Sequence, residues 1–101
     1  MAWLLRDQEV LAAVEVWPAR STLPALPAEV VLMPSPWPLG GFSRRPMDVA
    51  FLDRKLVVLD VVSVGPRRLV RPRVHAAYLL TAGAQTMARW ELKAGDRLTL
   101  E

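Results

Sequence analysis

Cysteine is absent from this chain of 101 residues, and histidine occurs once, at position 75. A chain without cysteine forms no disulfides, thiolate zinc sites or iron–sulfur clusters and has no cysteine nucleophile. A single histidine excludes most metal centres and catalytic triads, because both combine several such groups. We therefore expect no metal and no other cofactor, and we interpret His75 as a structural or surface residue.

The sequence also lacks a long hydrophobic run. Arg6, Asp7 and Glu9 interrupt the N-terminal apolar residues, whereas a secretion signal needs an uninterrupted apolar stretch of about 7–15 residues. The longest apolar segment, Leu56–Val64, contains Asp60 and is much shorter than the roughly 18 residues that cross a membrane. We expect a soluble, cytoplasmic protein without membrane contact.

The composition, 52% hydrophobic and 23% charged, is typical of a folded globular chain. Its length corresponds to about one domain, so we predict a single domain over residues 1–101. Seven of the nine prolines fall between residues 18 and 46. Because proline lacks the amide donor that helix interiors and central strands require, this range is predicted to be mostly loop.

Apolar and β-branched residues predict about seven short strands. The segment Leu11–Trp17 is interpreted as a strand, with a helix as the alternative because it contains two alanines. Polar residues 53–55 predict a tight turn between two of the strands, and residues 81–90 predict one short helix from their spacing of apolar positions. The other predicted strands are Glu29–Met33, Met47–Leu52, Leu56–Val64, Val74–Leu80 and a final one within residues 92–100. The predicted fold class is mainly β, a small compact barrel or sandwich with one helix near the C-terminus.

Residues 46–53 read PMDVAFLD, a pattern of proline, aliphatic residue, aspartate and apolar strand. With the hairpin, basic linker, short helix and Gly95-Asp96-Arg97 turn that follow, it resembles the uncharacterised bacterial and archaeal family named domain of unknown function 192. The resemblance covers residues 42–101 and is poor over 1–41. It implies a compact β-rich domain with one helix and no established reaction.

The chain departs from the family pattern at both ends of the helix. Family members usually have glycine there, whereas this chain has Gln85 and Glu91. A left-handed residue costs about 1 kcal/mol more for glutamate than for glycine, so we expect the helix to end differently here. The polar and aromatic residues that usually precede the aspartate are reduced to residues 41–45, so the family's pocket is expected to be altered.

Asp48 is the first candidate site residue. Beside Arg44 and Arg45, its carboxylate could orient a ligand or act as a base. The alternative is a structural aspartate that accepts backbone amide bonds in the Pro46-Met47 turn. Asp60 lies inside an apolar strand. Because side chains alternate between the two faces of a strand, Asp60 is predicted to share the less buried face with Val58 and Val62. We expect its carboxylate to pair with an arginine there.

A local positive field is the second candidate. No acidic residue lies between Asp60 and Glu91, and four guanidiniums could contact phosphates or carboxylates there; they belong to Arg67, Arg68, Arg71 and Arg73. The alternative is a solvated loop. Tryptophan is common both in cores and at interfaces. Trp37 is the best candidate for an exposed anchor among the four tryptophans, Trp3, Trp17, Trp37 and Trp90.

These features favour a non-enzymatic binding or protein-interaction domain that uses the proline and tryptophan loop and the arginine segment. Its partner would be a protein or a small anionic ligand, and the chain would be a monomer or a weak homodimer. One alternative is a module that binds nucleic acid or another anionic polymer through residues 67–73. Another is a hydrolase or transferase that uses Asp48 in a concave pocket.

Overall fold

The structure is a computed structural model that describes residues 2–17, 30–34, 41–43, 46–66, 68–70, 73 and 75–101, with the backbone alone for 41–43 and 68–70. Nine strands and one short helix lie within these ranges. The strands are β1 Ala2–Arg6, β2 Glu9–Val16, β3 Val31–Pro34, β4 Gly41–Ser43, β5 Met47–Leu52, β6 Val58–Val64, β7 Arg68–Val70, β8 Tyr78–Gly83 and β9 Leu98–Leu100, and the helix is α1 Thr86–Arg89.

Seven strands form one curled sheet, a half-barrel, in the order β6-β5-β8-β3-β2-β1-β9. Within it β2 and β3 are parallel, and the other neighbours are antiparallel. Strands β4 and β7 pair separately as a two-stranded sheet. The predicted fold class, mainly β with one short helix, is confirmed.

Strand β5 is buried at all of its positions. It pairs with β6 on one side and with β8 on the other, and both of its faces pack into the core. Ala50 and Leu52 belong to the apolar cluster that also contains Met87, whereas Val49 and Phe51 belong to the cluster on the opposite face. Burial on both faces explains why the sequence shows a continuous apolar run here, and the predicted bounds, Met47–Leu52, are those observed.

Strand β8 lies later in the chain than the sequence predicts. The expected strand Val74–Leu80 is replaced by Tyr78–Gly83, and the expected helix over 81–90 is reduced to the single turn of α1. Thr81 and Ala82 are buried in the strand, where they pair with β5. The central position of these residues in the sheet therefore determines their conformation more strongly than their helical spacing does.

The predicted turn after β5 is present and is held by one carboxylate. Asp53 Oδ1 accepts hydrogen bonds from the backbone N–H groups of Lys55 and Val57, at 2.8 and 3.0 Å. Leu56 adopts a left-handed conformation, φ 63°, so regular strand geometry starts only at Val58. The predicted strand Leu56–Val64 is therefore two residues shorter at its start.

A bulge in β6 changes which residues share a face. The register with β5 shifts between the pairs Phe51–Asp60 and Leu52–Val58, so Leu59 is the extra residue. Val58 is buried with Leu52, whereas Asp60 is half exposed and pairs with an arginine, Arg73. The predicted arginine partner is found, but the prediction that Val58 and Asp60 share a face is wrong because the bulge interrupts the alternation.

The two outer strands of the half-barrel, β6 and β9, are joined through the residues that come just before them. Val57 forms an isolated bridge with Arg97, and the N–H of Leu98 donates to the carbonyl of Leu56 at 2.9 Å. Arg6 braces the same end through Glu9 at 2.9 Å and Asp96 at 3.2 Å. The hydrogen bond that Arg6 donates to Glu9, followed by the one that it donates to Asp96 and by the charges of both carboxylates, raises the pKa of Arg6.

Candidate binding groove

A groove of about 670 Å³ lies between β2, the end of β8 and α1. Strand β3 is short and pairs with β2 at two positions, Glu15 with Val31 and Val16 with Leu32. Strand β2 therefore pairs with β3 only from Glu15 onward, and the groove lies beside the earlier residues Leu11 and Ala12. The lining residues are Leu11, Ala12, Val30, Gly83, Ala84, Thr86, Arg89 and Trp90.

Three of these residues carry polar side chains: Thr86, Arg89 and Trp90, and all three belong to α1 or to its C-cap. Each can donate a hydrogen bond, and Arg89 carries the one charge among the residues that line the groove. Arg89 is exposed, and within the described part of the chain no ion pair engages it. The other lining residues are apolar, so the groove combines apolar walls with donors along one side.

A carboxylate on β5 holds the first turn of α1. Asp48 is 2% exposed; its Oδ2 accepts the backbone N–H of Met87 at 3.0 Å, and its Oδ1 accepts the Ser63 hydroxyl at 3.1 Å. Gln85, the N-cap residue, makes no side-chain capping bond. Asp48 therefore supplies the cap across the fold, satisfying an amide that the helix itself leaves without an acceptor.

This geometry favours the interpretation of Asp48 as a structural amide acceptor over that of a ligand-binding or basic carboxylate. The N–H donor, however, belongs to Met87 rather than to a residue of the Pro46-Met47 turn. Both carboxylate oxygens are engaged by protein donors, and Asp48 is not among the described residues that line the groove. Its geometry is that of a positioning residue for α1.

The end of α1 is closed by a left-handed glutamate. Glu91 has φ 55°; its N–H donates to Ala88 O, and the N–H of Leu92 donates to Met87 O, both at 3.0 Å. These two bonds define a Schellman motif, in which glycine is the usual left-handed residue. The expectation that the helix avoids a left-handed Glu91 is wrong, because the motif's two bonds and the burial of Leu92 outweigh the local strain.

Arg73 is the one residue of the predicted arginine segment whose side chain is described. It pairs with Asp60 at 3.3 Å and lies 4.6 Å from the centre of the Phe51 ring. Phe51 and Asp48 lie on opposite faces of β5, so the structure does not bring Arg73 and Asp48 into one site. Arg68 lies in β7, where only the backbone is described, and Trp37, Arg44, Arg45, Arg67 and Arg71 lie outside the described residues.

The remaining candidates lie apart from the groove. His75 is exposed, and the described residues contain no group of three or more acidic or histidine side chains that could hold a metal. Trp3 is 54% exposed, and Trp17 donates its indole N–H to Glu15 at 3.0 Å. None of the helices in the described ranges has the length and apolar character needed to cross a membrane.

Sequence reasoning missed the groove because its two sides are distant in the chain. Leu11 and Ala12 come from β2, whereas Thr86, Arg89 and Trp90 come from the region of α1. The one available signal was a cation next to a tryptophan at the end of the predicted helix. That signal is weak by itself, because cations are favoured near helix C-termini in general.

No protein-family model matches the chain, and no curated protein matches it. Two solved structures are similar in fold. A protein of unknown function from Novosphingobium aromaticivorans superimposes with a TM-score of 0.67 and 16% identity, covering 97% of this chain and 82% of that one. A Sinorhizobium meliloti protein described as a "putative transcription regulator" gives a TM-score of 0.64 and 16% identity, covering 98% and 91%. At this level of identity the similarity establishes the fold alone.

Proposed function

We propose that this protein is a non-enzymatic binding domain that holds a small, largely apolar molecule in the groove between β2, β8 and α1. The observation that carries the proposal is the groove itself. Its volume, about 670 Å³, is within the range of roughly 300–1,000 Å³ typical of small-molecule sites. Such sites combine apolar walls with a few polar groups, and here five apolar lining residues accompany the polar side chains of Thr86, Arg89 and Trp90.

The way α1 is held supports this proposal. A binding wall costs less free energy to occupy when it is already ordered. The first turn of α1 is bonded to Asp48 and its last turn is closed through Glu91 and Leu92. Met87, between the two, is buried in the core. The groove wall is therefore fixed at both ends by groups outside the groove.

We also propose that the chain is a diverged member of the domain of unknown function 192 family. Two backbone angles support this in addition to the PMDVAFLD segment. The family usually has glycines at the positions of Gln85 and Glu91, and both residues here have positive φ, 69° and 55°. Positive φ is the conformation for which glycine is generally selected.

Isothermal titration calorimetry with octanamide, an uncharged amphiphile, tests the groove. We expect saturable binding to the wild type and loss of binding in Ala84→Phe, which places a ring in the groove at an exposed position. Ala94→Phe is the matched control, because Ala94 is also exposed but belongs to a turn outside the groove lining. Binding that survives Ala84→Phe, or a wild type that binds neither octanamide nor its anionic analogue octanoate, contradicts the proposal.

Nucleic-acid binding is the second candidate function. It is favoured by the arginines at 67–73 and by the description of the Sinorhizobium meliloti structure. Fluorescence anisotropy with a 20-base-pair duplex at 50 and 200 mM salt tests it. A phosphate-driven complex weakens steeply with salt and weakens when Arg67 and Arg68 are changed to glutamine. Unchanged anisotropy at 50 mM salt contradicts this function.

A further inference from the structure

We propose that the ligand of the groove carries a carboxylate and that Arg89 binds it, which makes the ligand a small apolar monocarboxylate. This inference rests on the binding function proposed above and adds the chemical class of the ligand. It follows from the kinds of polar group that the groove presents and from their charge.

The polar side chains along the groove are all able to donate hydrogen bonds. Arg89 has a planar guanidinium with five N–H donors, Trp90 has an indole N–H, and Thr86 has a hydroxyl. No carboxylate or amide side chain is among the described lining residues. A ligand that satisfies these donors must therefore present acceptors, and a carboxylate presents two oxygens in the geometry that a guanidinium matches.

The charge of the groove lining also favours a ligand with a carboxylate. No acidic residue occurs in the sequence between Asp60 and Glu91, and the carboxylate that contacts α1, that of Asp48, is buried and already hydrogen-bonded to Met87 and Ser63. On the β2 side the lining residues are Leu11 and Ala12. Arg89 therefore presents a positive charge that no acidic side chain of the lining neutralises, and an anionic head group complements it.

The apolar walls define the rest of the ligand. Leu11, Ala12, Val30 and Ala84 face the space next to the Trp90 side chain. A ligand that is polar throughout would lose its hydration against these walls without gaining partners. The complementary molecule has one anionic end for Arg89 and an apolar body for the walls.

Octanoate and octanamide form a matched pair of probes, because they share the alkyl chain and differ in the charge of the head group. Calorimetry or tryptophan fluorescence is used to measure both dissociation constants for the wild type, Arg89→Gln and Arg54→Gln. Arg54 is an exposed arginine in the turn after β5, outside the groove lining. It controls for a general loss of positive charge.

We expect octanoate to bind more tightly than octanamide, and Arg89→Gln to weaken octanoate binding roughly tenfold, the typical effect of losing one hydrogen bond to a charged group. Arg89→Gln should weaken octanamide binding less than octanoate binding, because a hydrogen bond to a neutral carbonyl contributes less than one to a carboxylate, and Arg54→Gln should change neither. Equal binding of the two probes, unaffected by Arg89→Gln, overturns the ligand class while leaving the groove as a binding site. Binding of neither probe overturns the ligand class and the binding function together.

Discussion

Asp48 in β5 accepts a hydrogen bond of 3.0 Å from the backbone N–H of Met87, 39 residues further along the chain. This bond joins the most buried strand of the sheet to the helix that forms one wall of the groove. The N-cap residue of that helix, Gln85, makes no side-chain capping bond. The aspartate of the PMDVAFLD segment thus performs, from another strand, the task that a local cap usually performs.

Replacing Asp48 by alanine should destabilise the fold by about 2 kcal/mol, because the buried N–H of Met87 and the Ser63 hydroxyl lose their acceptor. Ser63→Ala should cost less than about 1 kcal/mol, since it removes a bond to a hydroxyl on an exposed residue. Urea unfolding followed by circular dichroism measures both free energies. If Asp48→Ala lies within about 0.5 kcal/mol of the wild type, the capping role assigned to Asp48 is wrong.

Replacing Glu91 by glycine should stabilise the protein by about 0.5–1 kcal/mol, because glycine adopts φ 55° without strain. Glu91→Ala is the matched control: it removes the same side chain but leaves an L-residue in the left-handed region. Thermal unfolding should therefore rank glycine above alanine. A glycine variant less stable than the alanine variant would contradict the Schellman assignment.

Asp53→Ala should lower the free energy of unfolding by about 1–2 kcal/mol. The substitution leaves the N–H groups of Lys55 and Val57 without their carboxylate acceptor, next to the left-handed Leu56. Asp53→Asn keeps one acceptor oxygen and should recover part of the loss. Urea unfolding distinguishes the three proteins, and equal stability of all three would contradict this role.

Arg73→Gln should cost less than about 1 kcal/mol, although Arg73 pairs with Asp60 and stacks on Phe51. The side chains of Arg73 and Asp60 are 42% and 48% exposed, and ion pairs that exposed contribute little. The difference from the wild type should shrink in 1 M NaCl, where the charges are screened. A loss above 2 kcal/mol would indicate a structural role for this arginine that the geometry does not account for.

The parts of the fold that sequence could predict are those fixed by local pattern. Strand β5 shows as an apolar run because it is buried on both faces, and the turn at Asp53 follows from the known preference of aspartate for amide acceptor positions. The predicted position of β8 is too early in the chain because Thr81 and Ala82 suit either a strand or a helix. Only the pairing of β8 with β3 and β5 determines that these two residues belong to the strand.

The candidate site was less predictable than the fold. Asp48 could be recognised as an amide acceptor, but the identity of its donor depends on where α1 packs. The groove brings together β2 and α1, which are distant in the chain, beside a short β3, so it is a property of the whole fold rather than of any segment. The bulge at Leu59 is likewise invisible in the sequence, because it is defined by the register against β5.

The most direct test of the central claim is a ¹H–¹⁵N correlation spectrum of the protein titrated with octanamide. The account predicts amide shifts that cluster on Leu11, Ala12 and residues 83–90, together with a shift of the Trp90 indole signal. The most exposed tryptophan of those described, Trp3 in β1, provides the internal comparison. Shifts that cluster around Trp3 and β9 instead, or a spectrum that neither octanamide nor octanoate changes, would contradict the claim that the groove is the binding site.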